Sequence, residues 1–102
     1  LWKNGGYNMR LPQELFAEAL WVEWDVHYGI IRKERLTNLL RRYNLKLKKG
    51  KNLDDIKLAF GQGLKNTFGN TATQIEQIAK EIDKICIIAN WEQAVARYHV
   101  KY

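Results

Sequence analysis

Cysteine and proline each occur once in the 102 residues, and histidine twice. The lone thiol, Cys86, excludes an intramolecular disulfide. It lies in the apolar run Ile85-Cys86-Ile87-Ile88-Ala89, which marks it as an inert, buried residue suited to a reducing compartment. Two histidines and one cysteine leave too few ligands for a structural zinc site. No Ser or Cys stands in a nucleophile elbow or triad setting, and the chain has no serine at all. No apolar run approaches the ~20 residues of a membrane-spanning helix, and no signal peptide is visible. The expected protein therefore has no membrane partner and is soluble, either intracellular (cytoplasmic) or packaged within a particle. No cofactor motif and no small-molecule site is evident.

Negative charge is scarce in one place. Between Arg32 and Lys51 stand nine of the seventeen Lys and Arg residues and a single acid, Glu34, so this segment holds +8 while the rest of the chain sums to −2. The nine are Arg32, Lys33, Arg35, Arg41, Arg42, Lys46, Lys48, Lys49 and Lys51. Such a block most often faces a polyanion, because each neutralised phosphate releases condensed counterions. A solvated helix face opposite a core stripe is the plainer explanation for Arg35, Arg41 and Arg42. It accounts less well for Lys46 to Lys51, where four cations repel one another with no acid between them.

A hydrophobic content of 46% argues against disorder and for one domain over residues 1–102, with 1–10 as an N-terminal arm around Asn4-Gly5-Gly6. Periodicity predicts an all-α, compact bundle of about four helices. The first starts at Pro12 and ends near Gly29, with Leu15, Ala19, Val22 and Val26 in one apolar stripe and Phe16, Leu20 and Trp24 in another. The second covers about 33–43 on Leu36, Leu39, Leu40 and Tyr43. The third is capped by Asn52 or Asp54 and ends near 68–70, with Ile56, Ala59, Phe60, Leu64 and Phe68 inward. Gly61 and Gly63 inside it imply a closely packed neighbour or a break. The fourth opens on a Thr73/Glu76 capping box and carries Ile75, Ile78, Ile82, Ile85 and Ala89, after which a displaced seam of Ile88, Trp91, Val95 and Tyr98 implies a kink near Asn90. Core packing is expected for Trp21, Trp24 and Trp91. Alternation in 21–28, 43–48 and 96–102 supports a rival α+β reading with short strands there.

Several functions fit this outline. The leading expectation is a non-enzymatic nucleic-acid-binding protein, for DNA or RNA, that grips phosphate through the basic helix and the loop that follows, with self-association a further expectation. A helix-turn-helix is disfavoured by the nine-residue connection. The first alternative is a structural or coat subunit of a viral or filamentous assembly, joined through Trp2, Tyr7, Trp91, Tyr98 and Tyr102. A second is a metal-dependent nuclease in which Glu23, Asp25 and His27 share a strand face, with His99 nearby. A third is an inhibitor or adaptor whose cations meet an acidic protein. Gly61-Gln62-Gly63-Leu64-Lys65 echoes a phosphate loop but lacks its spacing and the following Ser or Thr.

Overall fold

Helices dominate a computed structural model of the chain, which describes residues 10–26 and 29–98. Five occur among these residues: α1 (Pro12–Val26), α2 (Lys33–Arg42), α3 (Leu53–Lys65), α4 (Thr71–Asp83) and α5 (Trp91–Tyr98). A two-stranded antiparallel sheet joins β1 (Leu45–Leu47) to β2 (Cys86–Ile88). The bundle is the all-α architecture that periodicity predicts, with the sheet as a minor addition.

Helix α4 is the centre of the packing, lying against both α1 and α3. Its Ile75, Ile78 and Ile82 meet Phe16 and Leu20 of α1 and Ile56 and Phe60 of α3 in one buried cluster, to which α2 adds Leu36, Leu39 and Leu40. Gly63 makes the α3–α4 approach possible, since a Cβ there would fall 2.7 Å from the Cα of Ile78. Gly61 has nothing within 4 Å of the same position. Close packing thus accounts for one of the two helix glycines and not for the other.

In α1, Phe16, Ala17 and Leu20 are buried and Trp24 packs on the cluster, its ring 4.6 Å from that of Phe60. The other expected stripe is divided: Ala19 packs on the core and Leu15 is half-buried, while Val22 and Val26 are 51% and 60% exposed. Gly29, at φ 83, sends its N–H to the Trp24 carbonyl over 2.6 Å, the cap expected there.

The largest departure from expectation lies after Asp83. The expected long fourth helix is two helices with a strand between them, because Asn90 caps a new start: its Oδ1 accepts the Gln93 N–H over 2.8 Å. Helix α4 also begins earlier than the Thr73/Glu76 box implies, since Asn70 is its cap and accepts from the Thr73 N–H over 2.9 Å. Asn52 caps α3 in a reciprocal box with Asp55. Of the rival strands, 21–26 is helical, 43–48 contains β1, and 96–98 belongs to α5. Phe68, expected inward, is 93% exposed, and Trp91 is 44% exposed. Residues 1–9 of the arm, with Trp2 and Tyr7, and His27, His99 and Tyr102 lie outside the described residues, while Arg10 is described and pairs with Glu18 over 2.7 Å.

Candidate nucleic-acid interface

Two elements and a turn carry the basic block. In α2 the burial of Leu36, Leu39 and Leu40 forces the remaining residues outward, so that Lys33, Arg35, Arg41 and Arg42 are all exposed, as is Arg32 before the helix. Arg41 and Arg42 occupy the last turn, at the negative end of the helix dipole, and Arg41 Nη1 donates to Asn38 Oδ1 over 3.2 Å. Helix α2 ends where Asn44 takes φ 56, a left-handed conformation that asparagine tolerates.

Beyond Asn44 the chain is extended. Side chains alternate across β1, so Leu45 is buried, Leu47 packs on the core and Lys46 points out opposite Ile87. The Lys48 N–H reaches the Ile85 carbonyl over 2.9 Å and continues the pairing by one residue. Lys46 and Lys48 therefore share the outer face of the sheet, roughly 6.7 Å apart along the strand. The chain then reverses: the Lys51 N–H closes on the Lys48 carbonyl over 3.0 Å, with Gly50 at φ 83 in the third position. Lys49 and Lys51 are exposed on this turn. Among the described residues, none of Lys46, Lys48, Lys49 and Lys51 is ion-paired to a carboxylate.

Arg35 behaves differently. Its Nη2 donates to Glu23 Oε2 of α1, and that hydrogen bond raises the guanidinium pKa further. The pair lines an open groove of about 570 Å³ at the α1–α2 junction, together with Arg32 and Glu34. Two acids and two bases there cancel, so Arg32 and Arg35 sit apart in character from the lysine array.

Beneath the sheet, Cys86 is fully buried and its thiol is pushed up to about 11, by loss of solvent first, with Lys48 pulling the other way and Asp83 adding to the rise. An inert thiol is what the sequence predicts. Acidic side chains gather elsewhere, in grooves along α1 and α4 lined by Glu14, Glu18, Glu76 and Asp83, where Arg10, paired to Glu18, and Lys80 offset part of the charge.

Glu23 and Asp25 both stand on α1, where a two-residue step turns them about 200° apart, so they do not share a face, and Glu23 is engaged by Arg35. Among the described residues no group of three potential ligands is placed to hold a metal ion. The phosphate-loop echo at 61–65 is inside a helix. A strand occupies the connection between α2 and α3, which removes the helix-turn-helix geometry. Sequence reasoning missed Ile87, 40% exposed beside Lys46, and Asn44, whose carbonyl accepts from Ala89 and whose Nδ2 donates to the Asn90 carbonyl over 2.7 Å. Both depend on a partner strand that period-3 spacing in 75–89 conceals. Comparison with protein-family models, curated proteins and solved structures finds no match to this chain.

Proposed function

We propose that the protein is a non-enzymatic binder of nucleic acid that holds the phosphate backbone on the outer face of the β1–β2 sheet and the 48–51 turn. The single observation that carries this reading is the set Lys46, Lys48, Lys49 and Lys51: four cations on a rigid strand and a closed turn, without carboxylate partners among the described residues. Arg41 and Arg42, on the helix that leads into the strand, extend the positive surface. Backbone contact rather than base reading follows from the elements involved. A three-residue strand and a tight turn offer point charges to phosphates, whereas groove reading requires an inserted helix or ribbon.

Binding to single- and double-stranded DNA and RNA, measured by fluorescence anisotropy from about 50 to 300 mM salt, tests the proposal. With four to six phosphates engaged on duplex, log K falls with log salt at a slope near −4 to −5. Lys48→Glu/Lys49→Glu lowers affinity at every salt and reduces the slope by about 2. Undetectable binding at 50 mM salt, or a slope near zero, rejects the reading. Tight binding to an acidic protein with none to nucleic acid assigns the array to a protein partner.

A further inference from the structure

Helix α3 has an outward face whose Leu58 and Gly61 no packing contact among the described residues explains. Asp54, Leu58, Gly61 and Lys65 are all exposed, at successive spacings of four, three and four residues. That spacing is the seam of a left-handed helix pair. Leu58 is 70% exposed, and Phe68, just past the helix, 93%. Gly61 weakens an exposed helix interior by about 1 kcal/mol relative to Ala, with no neighbour within 4 Å to require it.

The four positions are also self-complementary. Turned antiparallel about a two-fold axis centred between residues 59 and 60, the seam sets Asp54 against Lys65 of a second copy and Leu58 against Gly61 of that copy, with each contact repeated by symmetry. Among the described residues neither Asp54 nor Lys65 has an ion-pair partner within its own chain. Asp54 takes no part in the side-chain half of the α3 capping box, which uses Asp55.

From this register we infer that α3 is an isologous dimer interface whose occupant is the α3 of a second copy: Leu58 fills the notch left by Gly61, and two Asp54–Lys65 pairs flank the contact and set the antiparallel direction. The surface is distinct from the lysine array and independent of the polyanion reading. One pair of 13-residue helices covers less than the ~1,200 Å² of a standard interface, so association is weak.

Sedimentation equilibrium of nuclease-treated protein from about 10 µM to 1 mM decides the matter. The wild type is expected to be mainly dimeric at the upper end. Leu58→Glu, at a solvent-facing position, is expected to be monomeric throughout with an unchanged far-UV spectrum. Asp54→Lys and Lys65→Asp each weaken dimerisation about tenfold, and the two together restore it. A monomeric wild type at 1 mM overturns the inference. So does a Leu58→Glu protein that still dimerises, or a double exchange no better than either single change.

Discussion

At the scale of single residues, glycine and cysteine show how context decides chemistry. Gly61 and Gly63 stand two positions apart in one helix, and their substitutions by alanine are expected to have opposite signs. Gly63→Ala forces a methyl to 2.7 Å from the Ile78 backbone and costs about 1–3 kcal/mol, whereas Gly61→Ala enters open space and stabilises by up to about 1 kcal/mol. Urea denaturation at low micromolar concentration reads both, and equal effects would contradict the packing described. Cys86 supplies a pH test. Its thiol stays protonated in the fold up to about 11, while in the unfolded chain it ionises near 9.0. Its contribution is therefore complete below pH 9 and declines as pH rises toward 11, by an amount of the order of 1–2 kcal/mol. The wild type is expected to lose more stability between pH 8 and 10.5 than Cys86→Ala, since the variant lacks that titration. The exposed arginine pair with Glu23 is screened by solvent and adds little.

At the scale of elements, asparagine caps punctuate the second half of the chain. Asn52, Asn70 and Asn90 each accept backbone N–H groups at the start of α3, α4 and α5. Asn90→Ala is expected to cost about 1 kcal/mol by removing the α5 cap, while the main-chain carbonyl of residue 90 still accepts from the Asn44 side chain and holds the sheet. Hydrogen exchange should quicken at the start of α5 in that variant and stay unchanged at the Ala89 and Lys48 amides; quickening at those two as well would tie the cap to the strand. The same elements show what could be read in advance. Helix α2 was legible because Leu36, Leu39 and Leu40 stand against an otherwise polar segment. The end of α4 was not, because Ile82 and Ile85 keep the helical interval while β2 begins one residue later, and Ile85 and Cys86 are buried in either conformation. The readable signal was Asn90 followed by Gln93, a cap pattern that the apolar continuity overshadowed. In the candidate site, the charge of the lysines was plain from composition. Their division into a strand face and a turn was not, since it depends on pairing with residues far along the chain.

At the scale of the whole molecule, charge is divided by element: the lysine array belongs to β1 and the 48–51 turn, and acidic grooves run along α1 and α4. If the proposed polyanion binding holds, such a division would orient the ligand before contact and act on the association rate more than on the final affinity. Among the described residues no helix is long and apolar enough to cross a membrane. The sheet also has a history built into it. Its register ties Lys46 to Ile87, across roughly forty residues, so closing the strand pair carries a loop-closure cost that contacts within a helix do not. A chain emerging during synthesis and halted at Asp83 would possess every lysine of the array yet lack the rail that spaces them. Composition alone endows the segment with its valence; the ruled interval between those charges is on loan from a distant stretch of chain.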